Sequence, residues 1–367
     1  MKNRQAGLDR LRILSAYFVV CIHLFALLGD LGGSRGASLF ANALVYAMVF
    51  CAVNCFGLLS GWLGYREENN SLRLQSLILL WLQFVFYRVF FLLLPALLHI
   101  AEPVSLADIF LPVTKRVNWY MTAYFEMMLL APALNVIVSR LSRGTNAIIC
   151  LALLTLTVVS AALRAVMVCD PFLLGEGYNW MWLAVLYFLG ASMRKHQWFS
   201  DASGGRLRLW LIASLLLTAG WRWGMRSFFH AGAFPGNTEK IFYSYTSPTI
   251  LSASICLLLL HAHMKTNGRN ALIEKASSAA LGVFLLHTTV WNWLIAPGAG
   301  LLSPLPQSFA WLNVLLSAFV ITLLCIPVDL ARGWLFRKLH AQELADRAQT
   351  RVFRLCGIIA KKAGKTA

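Results

Sequence analysis

Two side chains in the first apolar stretch, LDRLRILSAYFVVCIHLF, belong to types that a bilayer interior rejects. An ionisable group inside a membrane helix is disfavoured by at least about 2.5 kcal/mol, so Arg12 and His23 each require a partner or a function. They stand eleven positions apart. At roughly 100° per residue, eleven steps return to nearly the same helical face, displaced about 16 Å along the axis. A guanidinium at one end of such a stripe can hold a phosphate or a carbonyl oxygen. A neutral imidazole deeper in can take a proton from an alcohol attacking a thioester. Each residue alone has a plain structural reading. Arg12 taken alone reads first as an ordinary positive-inside cation paired with Asp9, three positions earlier, and a lone histidine often only hydrogen-bonds a neighbouring helix. The pair on one face is what points to chemistry.

Further polar positions interrupt other apolar stretches. NCFGLLSGWLGY carries Asn54, Gly57, Ser60 and Gly61, whose small residues also suit plain helix packing. NWYMTAYFEMMLLAPALN places Asn118, Trp119, Tyr120, Tyr124 and Glu126 near the outer surface, where aromatics with a few hydrogen-bonding groups suit a sugar. Glu126 is either the partner of a cation such as Arg88 or a member of the site. His287 closes SSAALGVFLLH and on its own favours a structural role. Arg88, His99 and Asp329 are intramembrane polar groups with no evident local partner. Cys51 and Cys55, one helical turn apart, have no histidine or further cysteine nearby and read as packed thiols rather than metal ligands.

These residues need a membrane scaffold. Of the 367 residues 59% are hydrophobic and 13% charged, and mean hydropathy is +0.67, outside the range of a soluble domain. A bilayer core of roughly 30 Å takes about 20 apolar residues per helix, and ten stretches fit: 11–29, 39–63, 75–99, 119–138, 146–168, 180–193, 209–228, 246–264, 277–296 and 309–331. The expectation is an all-α polytopic membrane protein of about ten transmembrane helices. The first stretch follows basic residues but no clear cleavage site, and reads as an uncleaved helix. Net charge is +17, yet its placement argues against nucleic acid. With a cytosolic N-terminus, residues such as Arg66, Arg73, Arg140, Arg143, Arg194 and Lys195 fall inside and few cations fall outside, which is the positive-inside pattern with both termini cytosolic. Trp119, Trp180, Trp221, Trp223, Trp291, Trp293 and Trp311 fall at outer helix ends as an aromatic belt. Residues 1–331 read as one membrane domain and 332–367 as a basic amphipathic cytosolic tail lying on anionic lipid. The outer loop near 229–245 is a candidate cover for an outward-facing cleft, or a simple connection.

Four of these segments together resemble the acyltransferase-3 family of bacterial integral-membrane O-acyltransferases. Asp9, Arg12 and His23 match its first-helix pattern; Phe56, Ser60, Gly61 and Trp62 its second. Trp119, Tyr120, Tyr124, Leu130, Pro132, Leu134 and Asn135 match the fourth, and VFLLH ending in His287 the ninth. WYMTAY and YSYTSPTIL (243–251) look most like the branch that acetylates capsular and exopolysaccharides. Where many members carry a histidine shortly before the fourth-helix tryptophan, this chain has Val117 and Asn118. The resemblance implies transfer of an acetyl or related acyl group from acetyl-CoA to a hydroxyl of a cell-surface or exported polysaccharide, or lipid-linked oligosaccharide, at the bacterial inner membrane. His23 and Arg12 would be catalytic, with Asp9, Asn54, Ser60, Trp119, Tyr120, Tyr124, Glu126 and His287 around the substrates. Acetyl-CoA would be a substrate, with no permanently bound cofactor and no metal; a homodimer is compatible. The rival readings are a transporter or flippase for a lipid-linked sugar, and a non-catalytic scaffold.

Overall fold

The computed structural model describes residues 5–28, 34–67, 71–97, 106–114, 118–167, 170, 172–228, 238–264, 270–290 and 305–363. These residues form helices and connections, with no strand among them. In chain order the helices are α1 (Ala6–Leu28), α2 (Gly36–Phe50), α3 (Ala52–Gly64), α4 (Leu74–Leu97), the short α5 (Leu106–Phe110), α6 (Trp119–Arg140), α7 (Arg143–Met167), α8 (Trp180–His196), α9 (Gly204–Phe228), α10 (Pro248–Ala262), α11 (Ala271–Ser278), α12 (Ala280–Val290), α13 (Ala310–Lys338) and α14 (Ala341–Ala363). Among the described residues the expected apolar stretches fall largely on helix, and two are jointed. The second breaks at Cys51 into α2 and α3, and the ninth breaks at Ala279 into α11 and α12. Among the described residues four helices are long and apolar enough to cross a membrane: Gly36–Gly64 taken through its joint, Trp119–Arg140, Arg143–Arg164 and Ala310–Lys338. The first helix contains Asp9, Arg10 and Arg12 within its length, which dilutes its apolar character.

Side-chain chemistry at the helix starts sets several boundaries. Asn118 caps α6 by accepting from Tyr120 N and Met121 N, and Asn179 caps α8 through Trp182 N. Ser247 caps α10, with Pro248 at the first helical position where its missing N–H costs nothing. Inside the bundle α1 is central. It touches α2, α3, α10, α11, α12 and α13, and Leu8, Leu11, Ala16, Phe18, Cys21 and Leu24 are buried against them. Outer faces of α7, α9 and α13 instead display Leu151, Val159, Leu209, Leu216, Phe319 and Leu323, an arrangement suited to lipid rather than water. Cys51 and Cys55 are fully buried, and Cys51 Sγ lies 3.8 Å from Ile250 O of α10.

The tightest seam joins α3 to α8. A Cβ at Gly61 would overlap the Tyr187 carbonyl, and one at Gly190 would overlap the Leu58 carbonyl. The two backbones touch because neither residue has a side chain, as small residues allow in membrane bundles. Gly190→Ala is expected to lower stability by about 1–3 kcal/mol, while Gly205→Ala, which meets no atom within 4 Å, leaves the detergent-solubilised melting temperature unchanged.

α13 runs to Lys338, past the expected boundary at 331, before the tail helix begins. α14 docks on the start of α4, where Gln349 Oε1 accepts from Gln75 N at 2.9 Å, and exposes Leu344, Val352, Phe353, Leu355 and Ile358. The expected cover at 229–245 lies outside the described residues up to 237, as do His99, Trp291 and Trp293. Between α7 and α8, Asp170 accepts from Gly175 N (2.7 Å), Leu174 N (3.0 Å), Arg164 Nη1 (2.7 Å) and Ser160 Oγ (3.3 Å). Desolvation pushes its carboxyl upward, but the two backbone N–H groups and Arg164 outweigh it and hold the pKa below the ordinary value. The resulting stabilisation is therefore full above about pH 4 and is lost as pH falls through the folded value. Asp170→Asn is expected to lower the melting temperature at neutral pH, with the gap from wild type closing on acidification.

Candidate active site

Arg12 sits in the first half of α1, and its guanidinium is aimed by two neighbours. Nη1 donates to Ser277 Oγ at 3.2 Å and lies 3.5 Å from Asp9 Oδ1. Ser277, on α11, donates in turn to Asp9 Oδ1 at 2.7 Å. Asp9 is 4% exposed, so its carboxylate needs these donors. Arg12 remains partly open, and it opens into a cavity.

That cavity has a volume of 350 Å³ and is walled by α1, α3, α4, α6, α8 and α12. Arg12, Arg73, Ser71 and Asn135 line it at one level; Ser60, Tyr124 and Met128 follow; Phe56, Tyr120 and Phe284 lie at another. Tyr120 and Asn135 are fifteen residues apart on α6, so the hollow extends about 22 Å along the helix axis. It is a tunnel with cations at one end and aromatic rings at the other. A second hollow of 490 Å³ shares Ser76, Leu80 and Leu281 with it and carries Arg332 and Arg337.

His23 does not line the tunnel. Tyr120 and Phe284, with ring centroids 5.1 Å apart, stand at its aromatic end, and Phe284 is 6.0 Å from the ring of His287. His287 Nε2 is 2.9 Å from His23 Nδ1, and the two rings are 4.8 Å apart with planes tilted by 39°. Each Nδ1 also meets the carbonyl one turn earlier: His23 with Val19 O and His287 with Val283 O, both at 3.0 Å. His287 is 3% exposed, whereas the His23 side chain is accessible.

A family model described as an acyltransferase domain, Acyl_transf_3, matches residues 5–330. The chain belongs to this acyltransferase family. No curated protein and no solved structure matches it. The match runs from the start of α1 into α13, so the Arg12 tunnel and the histidine pair both lie within the acyltransferase domain.

The other expected site residues separate by environment. Ser60, Tyr120 and Tyr124 line the tunnel, with Tyr120 and Tyr124 stacked at 5.9 Å. Trp119 packs against Tyr178 at 4.7 Å and stays half-buried. Asn54 is fully buried, donating to Tyr245 O at 2.8 Å and accepting from Trp182 Nε1 at 2.9 Å, so both ends of its amide bind protein. Glu126 is half-buried outside the tunnel lining, with no ion pair among the described residues. Asp329 acquires a dense set of partners: Arg332 Nε (2.7 Å), Gln83 Nε2 (3.0 Å) and Tyr87 Oη (2.5 Å) all donate to its Oδ1. The arginine three residues later was the visible signal for that cluster. Ser277 and Arg73 were missed, because a serine between helices and a cation before α4 carry no motif. Ser277→Ala should destabilise the protein by about 1–3 kcal/mol by removing a donor from the buried Asp9 carboxylate, seen as a lower melting temperature in detergent.

Proposed function

We propose that this acyltransferase moves an acetyl group from acetyl-CoA on the cytosolic side to a hydroxyl of an exported or cell-surface carbohydrate, with the chain in the inner membrane and both termini cytosolic. The observation that carries the reading is the tunnel, with cations at the Arg12 end and aromatic rings at the other, where Phe284 lies against His287 and His287 against the exposed residue His23. In this reading Arg12 and Arg73 hold phosphate or carbonyl oxygens of the donor, and the acyl-bearing arm lies along Ser60, Tyr124 and Tyr120. His23 is the general base. Its Nε2 takes the hydroxyl proton as the sugar oxygen attacks the thioester carbon; the new C–O bond forms, the C–S bond breaks, and the departing thiolate takes the proton back from the imidazolium. Asn54 holds Trp182 and Tyr245 in place rather than touching the acceptor, and Trp119 with Tyr178 offers an aromatic surface for it.

Phe284 lines the tunnel and lies against the ring of His287, so in this reading the thioester reaches His23 when the Phe284 ring turns aside. The test is acetyl transfer from radiolabelled acetyl-CoA into surface glycan. His23→Ala is expected to lower it by about 10²–10⁴-fold while the protein inserts and accumulates normally. Undiminished labelling in that variant overturns the assignment of the base, and glycan crossing vesicles without consumption of acetyl-CoA would favour a transporter.

A further inference from the structure

We infer that His287 is a positioning residue that fixes the tautomer of His23, so that the nitrogen presented to substrate carries a lone pair. The inference rests on the proposed role of His23 and adds what makes that imidazole a base rather than a donor.

The argument runs through hydrogen-bond bookkeeping on four atoms. A carbonyl oxygen only accepts. His287 Nδ1 lies 3.0 Å from Val283 O, so it must carry the hydrogen. A neutral imidazole has one N–H, which leaves a lone pair on His287 Nε2. That lone pair faces His23 Nδ1 at 2.9 Å, and a hydrogen bond there requires the hydrogen on His23. The same Nδ1 also faces Val19 O at 3.0 Å, a second acceptor. One N–H shared between two acceptors is a common three-centre arrangement. With its hydrogen held at Nδ1, His23 has its lone pair at Nε2, for which no hydrogen-bond partner exists among the described residues. The opposite chain, with His287 donating from Nε2, would turn an imidazole lone pair toward Val283 O and another toward Val19 O, making two acceptor–acceptor contacts at 3.0 Å.

The burial difference agrees with this division of labour. His287 is nearly inaccessible and cannot meet substrate, while His23 is open. When Nε2 receives a proton, the imidazolium that forms is already hydrogen-bonded at Nδ1 by a carbonyl and by a neutral imidazole nitrogen, which stabilise the charge without moving. α1 is also tied to α11, the helix that leads into α12, where Ser277 bonds Asp9 and Arg12, so α1 is held to the jointed α11–α12 segment at two levels.

Two substitutions and one spectrum test this on the full-length protein in nanodiscs. His287→Phe keeps a ring but removes the acceptor; kcat for acetyl transfer should fall about 10²-fold or more with KM for acetyl-CoA essentially unchanged. His287→Gln, whose side-chain oxygen can accept from His23 Nδ1, should restore at least about a tenth of wild-type kcat. Nitrogen-15 spectra of histidine-labelled protein, assigned with His23→Ala, should place the hydrogen of His23 on Nδ1 in the wild type and in His287→Gln. Wild-type kcat in His287→Phe, no recovery in His287→Gln when it folds as wild type, or a wild-type His23 spectrum with hydrogen on Nε2 overturns the inference. If His23→Ala itself remains active, the base assignment fails instead, and the spectrum still decides whether His287 sets the tautomer.

Discussion

The registration of α1 against the α11–α12 segment is the constraint on which the site depends. It is made by two polar bridges, Ser277 to Asp9 and Arg12 near one end and His287 to His23 near the other. Both lie among apolar neighbours, where an unmet hydrogen bond is more damaging than in water. Sliding α1 by one residue would rotate its polar stripe by roughly 100° and break both bridges at once. Apolar packing alone tolerates such slippage, since one leucine replaces another at modest penalty. The polar pairs therefore supply register, and the surrounding Leu8, Leu11, Phe18 and Leu24 supply burial.

Division of labour recurs in how the bundle treats its polar groups. Asn54 and Asn118 hold protein, one across helices and one at a helix start. Ser60 satisfies itself on Phe56 O at 2.7 Å and still faces the tunnel. Arg12 is tethered but open. The tunnel sets arginines at one end and aromatic rings at the other, so local charge and apolar surface are separated along one hollow.

Much of this was legible in the sequence because it depends on local spacing. Apolar lengths mark helices whatever their packing, whereas the eleven positions between Arg12 and His23 pointed to one shared groove, and the structure opens Arg12 into the tunnel while His23 lies outside its lining, against His287. The partner choices were not legible. Nothing near His287 in the chain states that it lies beside His23, which is 264 residues away, and Ser277 has no local signature at all. Asp329 looked isolated because its partners divide between Arg332, one turn on, and Gln83 and Tyr87 on a distant helix. Joints at Cys51 and Ala279 escaped because neither residue is a helix breaker by type. The apolar pattern fades at 331, while the helix that carries it continues to Lys338 before the tail helix begins.

The Asp329 cluster has a mechanical corollary. Its carboxylate is 2% exposed and receives hydrogen bonds from α4 and from α13, and Gly282 of α12 is packed directly on it. Separating those three helices would strand a charge in a medium that cannot solvate it, so they form a stiff hull on one flank of the tunnel. The close approach at Gly61 and Gly190 likewise joins α3 to α8, two further walls of the tunnel. With the helical frame held this way, the rings at the aromatic end, Tyr120 and Phe284, both buried, are the parts of that end left to turn, like tumblers in a fixed lock.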